Sequence, residues 1–197
     1  MIDFDINFEI PPSICYSGGA KGADQLFGSL AQEFGHKVCH FSFLNHKYDN
    51  LCDPSTIIQL NSVQLAEAKS PLKEAAKLLG RTNGRYEYTQ NLLQRNYWQI
   101  KYTDRVYAIT TIDWENGGRP NGGTGWAIAM AYCKDPNPAV YVYDVNKLQW
   151  YKTVFKISQE AMDWEECVPP RPFGHYTGIG TRDLTKEGRA AIEGLYQ

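Results

Sequence analysis

The chain has 197 residues, of which 43% are hydrophobic and 21% charged, and its formal net charge is −2. This length and apolar content suit one domain with a full buried core and exclude wholesale disorder. No basic run or Lys/Arg-rich face is present, so duplex nucleic acid, which needs a cationic footprint, is not an expected partner.

The alternating start, Met1 to Ile10, reads as an edge strand ended by Pro11-Pro12. Ser13 to Tyr16 is strand-like and leads into the turn Ser17-Gly18-Gly19-Ala20-Lys21-Gly22-Ala23-Asp24. Ala23, Leu26, Phe27, Leu30 and Phe34 follow at helical spacing, and Gly35 closes that helix. Lys37 to Phe43 reads as a second strand, and the polar, aromatic stretch Asn45 to Asp53 as a loop in which His46, Tyr48 and Asp49 border a site. Ser55 to Gly80 has a helical pattern, interrupted or restarted at Ser70-Pro71 because proline is best tolerated in a first turn. A helix over about Tyr86 to Tyr102 precedes the β-prone run Arg105 to Thr111.

Gly117 to Gly123 reads as a flexible loop and Thr124 to Cys133 as an Ala-rich helix. Ala139 to Tyr143 is a further strand, with Leu148 to Ile157 a hairpin-like addition. Pro169 to Pro172 is a stiff link into a last strand, Phe173 to Tyr176, the turn Thr177-Gly178-Ile179-Gly180-Thr181-Arg182 and a final helix. Strands and helices alternating in this way predict an α/β fold: a Rossmann-like, mostly parallel sheet with helices on both faces. Ligands of such sheets bind beyond the carboxyl ends of the strands, at the switch point, and the glycine turns are expected there.

A strand, a glycine turn and a helix N-terminus together expose backbone N–H groups at a positive helix end, where an anion can sit. Gly18, Gly19 and Gly22 permit positive φ and close approach, with Ser17 a donor to phosphate or a cap of the turn. Asp24, in the first helical turn, suits the positive helix end and serves as a stabiliser or holds a ribose hydroxyl or a neighbouring loop. In the last turn Gly178, Gly180 and Thr181 repeat the pattern, and Arg182 adds a fork suited to phosphate or carboxylate. Gly122, Gly123 and Thr124 form a third element, with Thr124 at an expected N-cap, and Arg95-Asn96 a fourth. Asp24 and Asp104 are the candidate catalytic carboxylates; Trp114 and Trp126 are candidates for stacking on a base.

His36 and His40 are four apart on a strand, not on the helix that would align them for zinc, so no metal is expected. The five cysteines are scattered with no Cys-x-x-Cys pair, which suits reduced thiols and a cytoplasmic setting. The N-terminus lacks the basic start and apolar core of a signal peptide, and no membrane partner is expected.

These motifs together (the Ser17 to Asp24 turn, Arg95-Asn96, Gly122-Gly123-Thr124 and Tyr176 to Arg182) resemble the SLOG superfamily, the Rossmann-like group of DprA-like, Lonely Guy-like and YpsA-like proteins. The resemblance is to the YpsA-like branch, outside Leu51 to Arg85 and Asn146 to Arg171, which read as helical and β-type insertions. There the Gly-Ile-Gly-Thr-Arg type of turn comes first. Here it comes last, so the chain looks circularly permuted.

The resemblance implies a phosphate-bearing ligand, a nucleotide or a nucleotide-derived signal of the cyclic ADP-ribose type, which the protein senses, carries or sequesters. Relatives in phage and bacterial conflict systems make sequestration one of these roles, and the family implies a homo-oligomer. The alternative is a hydrolase that cleaves an N-glycosidic or phosphate-ester bond; a molybdenum-cofactor carrier is a third reading. Lonely Guy enzymes carry a glutamate after their Gly-Gly-x-Gly-Thr turn, whereas Asn121 to Ile128 has none, which weakens the hydrolase.

Overall fold

The computed structural model describes residues 12–154 and 161–197; the expected strand at Met1 to Ile10 lies outside them. In chain order the elements are β1 (Ile14–Ser17), α1 (Ala23–Glu33), β2 (Lys37–Phe43), β3 (Ile57–Leu60), α2 (Ser62–Ala66), α3 (Lys69–Leu79), α4 (Glu87–Ile100), β4 (Arg105–Thr110), β5 (Ile112–Asp113) and β6 (Arg119–Pro120). They continue with α5 (Gly122–Tyr132), β7 (Ala139–Asp144), β8 (Gln149–Val154), β9 (Asp163–Glu166), β10 (His175–Gly180) and α6 (Lys186–Tyr196).

Among the described residues one eight-stranded sheet runs in the order β3-β2-β1-β10-β4-β7-β8-β9. The first six are parallel, and β8 and β9 extend the sheet antiparallel. The protein is thus a Rossmann-like α/β fold on a mostly parallel mixed sheet. No described helix is long and apolar enough to cross a membrane.

The central strands read as continuous apolar runs because both faces are covered. Along β4, Tyr107 and Ile109 pack with α1 and α6, whereas Val106 and Ala108 pack with α3, α4 and α5. In β7, Tyr141 and Tyr143 likewise face one layer and Val140 and Val142 the other.

The last strand of the chain lies at the centre of the sheet, between β1 and β4. Its glycines explain how α1 covers it. A Cβ on Gly178 would stand 2.3 Å from the Phe27 ring, and one on Gly180 would stand 2.7 Å from Ala23 Cβ. Two residues apart, they share one strand face and let α1 lie directly on the backbone. Beyond β10 the chain direction splits: β1, β2 and β3 lie to one side, β4 and β7 to the other. The helix after β10 joins α1 on one face, and the helix after β4 lies on the opposite face. The switch point therefore falls between β10 and β4.

Ser55 to Gly80 differs from the single helical segment expected. A short 3₁₀ turn at Pro54–Thr56 and the edge strand β3 come first, and α2 starts only after Asn61, whose side chain and that of Gln64 make a reciprocal capping box. Pairing with β2 overrides the weak helical pattern there. The break between α2 and α3 falls near Glu67-Ala68, and Pro71 occupies the first turn of α3 as expected. The Gly117 loop is pinned by the β5–β6 ribbon, and the hairpin-like addition is β8, whose expected end at Phe155 to Ile157 lies outside the described residues.

Gly178→Ala is expected to destabilise the protein by about 1–3 kcal/mol through overpacking against Phe27, read as a lower denaturation midpoint at unchanged m-value.

Candidate functional site

A cavity of about 790 Å³ opens where β10 and β4 end, within the size range of small-molecule sites. One wall is the Gly180 to Asp183 turn, and another is the N-terminus of α5 at Asn121 to Thr124. Arg95 and Asn96 of α4 and Asp24 of α1 form the polar floor. Leu92, Leu93, Trp126, Val145 and Ile179 supply an apolar surface beside them.

The α5 terminus carries the open donors. Its first intrahelical bond runs from Gly125 N–H to Asn121 C=O, so the N–H groups of Gly122, Gly123 and Thr124 have no helical acceptor. Asn121, the N-cap, makes no side-chain cap: its Nδ2 donates to Thr111 Oγ1 at 2.8 Å. Gly122 has φ +64°, and a Cβ on either Gly122 or Gly123 would meet nothing within 4 Å, leaving bare backbone on open space. Thr124 is not the expected N-cap but the third helical residue, and it is buried.

Beneath this terminus a buried polar chain joins three turns. Asp24 Oδ1 accepts from Gly180 N–H at 2.9 Å, and Asp24 Oδ2 lies 3.7 Å from Arg95 Nη1. Arg95 Nη2 donates to Asn96 Oδ1 at 2.9 Å, and Asn96 Nδ2 donates to Gly123 C=O at 3.0 Å. Gln99 Oε1, in the amide orientation its donors require, accepts from Arg95 Nη1 and Gly18 N–H, each at 3.1 Å. Burial pushes the Asp24 carboxyl above the ordinary carboxylate range, while Arg95 and the Gly180 N–H pull it back. Burial also lowers Arg95, opposed by Asp24, and its buried Nε has no acceptor among the described residues.

The two glycine turns from opposite chain ends lie back to back. Ala23 N–H donates to Thr181 C=O at 3.0 Å, and a Cβ on Gly22 (φ +96°) would stand 2.5 Å from the carbonyl oxygens of Thr181 and Arg182. Of the expected ligand residues, the fold brings Asp24, Arg95, Asn96, Gly122, Gly123, Thr124, Gly180, Thr181 and Arg182 to the cavity. Arg182 stands exposed at its rim.

Five expected cradle residues do other work. Ser17 is buried, and its hydroxyl donates to Asp24 C=O at 2.8 Å rather than to a ligand. Gly18 leaves room for Arg95, whose Nη1 would lie 1.4 Å from a Cβ there. Gly19 (φ +61°) faces His40 and Cys52, and its carbonyl accepts from Asp49 N–H. Gly22 and Gly178 are needed for backbone and ring packing, respectively. Of the two candidate catalytic carboxylates, Asp104 precedes β4 at the end of the sheet opposite the cavity, and Asp24 is engaged by Gly180 and Arg95. His46, Tyr48, Asp49 and Trp114 do not line the cavity, whereas Trp126 does.

Sequence reading missed Thr110 and Thr111, which line the cavity at the end of β4; the switch-point rule applied to that strand's last residues would have found them. It also missed Thr82, Gly84 and Thr89, which arrive from a segment without a motif.

Compared with protein-family models, curated proteins and solved structures, the chain matches none. Fold and site together define a Rossmann-like α/β protein with a cavity at its switch point, lined by an uncapped helix N-terminus and a buried arginine.

Two stability measurements probe this floor. Asp24→Ala is expected to cost about 3–5 kcal/mol in denaturant unfolding, since it strands the buried Arg95 charge. Asp24→Asn, which keeps an acceptor for Gly180 N–H, is expected to cost less. Next to this floor, burial and the Arg95 charge lower His40 from 6.5 to about 4, and burial, Arg95 and Arg182 lower His46 to about 3. The unfolded chain protonates both near pH 6.5 while the native protein does not, so stability is complete above that pH and lost as pH falls toward 4. His40 alone accounts for about 3 kcal/mol at 1.36 kcal/mol per pKa unit, and a His40→Asn, His46→Asn variant is expected to flatten this slope in melts across pH.

Proposed function

We propose that the protein binds a nucleotide or nucleotide-derived ligand in this cavity, a phosphate group resting on the N–H groups of Gly122, Gly123 and Thr124. The observation that carries this reading is the uncapped first turn of α5, opening on a cavity that also holds the buried guanidinium of Arg95. A helix N-terminus with bare backbone and unpaired N–H groups is an anion site by dipole and by geometry. Arg182 at the rim supplies a second charge, and Trp126 with Leu92 and Leu93 offers an apolar surface for a base. The cyclic ADP-ribose type of signal named by the SLOG resemblance fits a cavity with this division into polar floor and apolar wall. A circular permutation accounts for a last strand that takes the central place in the sheet.

Binding without cleavage is favoured because Asp24, the buried carboxylate of the floor, is committed to Gly180 N–H and Arg95. The other carboxylate among the described lining residues, Asp183, is exposed at the rim. A hydrolase of N-glycosidic bonds would need a carboxylate free to position water.

Titration calorimetry of ligand-free protein against nucleoside phosphates and cyclic ADP-ribose-type molecules tests the proposal; heat from none of them would overturn it. Arg182→Ala is expected to weaken binding by about 1.5–3 kcal/mol, the range for a hydrogen bond to a charged group. Chromatography after incubation is expected to return the bound compound intact.

A further inference from the structure

Two arginines that no glycine motif signals converge on the outer side of the α5 terminus. Gly80, in the left-handed conformation at φ +62°, ends α3 and turns the chain so that Arg81 N–H donates to Ala76 C=O at 3.0 Å. The Arg81 side chain then lies against the first turn of α5: Nη2 donates to Asn121 Oδ1 at 3.4 Å, and Nη1 would stand 3.2 Å from a Cβ on Gly125. Arg119 approaches the same place from the β5–β6 ribbon, its Nη1 3.3 Å from the position of a Cβ on Gly80. Thr82, next to Arg81, and Asn121-Gly122, beyond Pro120 from Arg119, line the cavity.

Among the described residues the counter-charge near this convergence is Asp113, which acts on Arg81 from a distance and outside ion-pair contact. Neither arginine forms an ion pair among the described residues. Asp113, opposite Arg119 in the ribbon, accepts from Asn116 N–H at Oδ1 and from Asn116 Nδ2 at Oδ2. Burial and then the neighbouring Arg119 lower the Arg81 pKa, and the Asp113 carboxylate only partly offsets them. The Nε of Arg119 is buried and finds no acceptor among the described residues. Two guanidinium groups held beside a positive helix end, with an unused buried donor, form a site shaped for an anion.

We propose that Arg81 and Arg119 form a second anion subsite beside the α5 terminus, so that the ligand carries two linked phosphoryl groups, as in a nucleoside diphosphate or a dinucleotide. This rests on the reading of the α5 terminus as the first phosphate site. One group lies on the Gly122 to Thr124 N–H groups, and the next extends past Asn121 to the arginine pair. Monophosphates leave that pair unused.

Inorganic phosphate and pyrophosphate, which lack a base, are the probes, titrated into the full chain by calorimetry with ³¹P NMR. The wild type is expected to bind pyrophosphate at least about tenfold more tightly than phosphate, the gain of one charge-assisted hydrogen bond. In Arg81→Gln, Arg119→Gln protein that ratio is expected to fall towards one; the single variant Arg81→Gln, if the pair does not fold, is expected to reduce it. A wild-type ratio near one, or a ratio that survives these substitutions, overturns the arginine subsite alone. Gly123→Asp places a carboxylate in the open space of the first site and is expected to abolish binding of both anions. Retained binding in that variant, or no binding of either anion by the wild type, overturns the first site and the proposed function with it.

Discussion

The ion pair of Asp24 and Arg95 is the constraint on which the rest of the site depends. Both side chains are almost fully buried, and each makes contacts that a charge in this setting needs. Asp24 holds the backbone of Gly180, Arg95 occupies the space beside Gly18 and orients Asn96, and Asn96 holds the carbonyl of Gly123. Three turns from distant parts of the chain are thereby set in one arrangement. A buried pair of this kind contributes little net stability against an apolar replacement, but losing one partner is costly, so its value lies in the geometry it imposes.

That geometry separates two uses of glycine. Gly18, Gly22 and Gly178 make room for protein: a guanidinium, two carbonyl groups and a phenyl ring fill the places where their side chains would be. Gly122 and Gly123 face open space instead. Only the second kind leaves backbone donors for a ligand. The open backbone donors therefore concentrate at the α5 terminus, with Thr181 and Arg182 on the same cavity and the Arg81–Arg119 pair beside that terminus.

Much of the fold is legible in the chain because its central strands are buried on both faces. Arg105 to Thr110 and Ala139 to Asp144 read as β from their apolar, β-branched and aromatic runs, and α1 and α4 from helical spacing. Ile57 to Leu60 was not legible, since an edge strand of four residues owes its conformation to its partner β2 rather than to its own pattern. The site was partly legible. Arg95-Asn96, Gly122 to Thr124 and Gly180 to Arg182 sit where motif and switch-point reasoning place them. Asp104 does not, because it precedes β4 and so sits at the amino ends of the parallel strands, the end that the carboxyl-end rule already sets away from the ligand.

The sequence by itself determined the α/β alternation, the glycine turn after the first strand and the residue types suited to holding an anion. These follow from local periodicity and from the conformational freedom of single residues. Thr177 to Gly180, read as turn, belong instead to β10. The tertiary structure alone decided that the last strand enters the middle of the sheet, and that its turn lies against the first turn of the chain. It also decided which glycines are filled by neighbours and which stay open, and brought Arg81 and Arg119 together across 38 residues. Each is a matter of contact between segments remote in sequence, where the space left by a missing side chain is set by what packs against it.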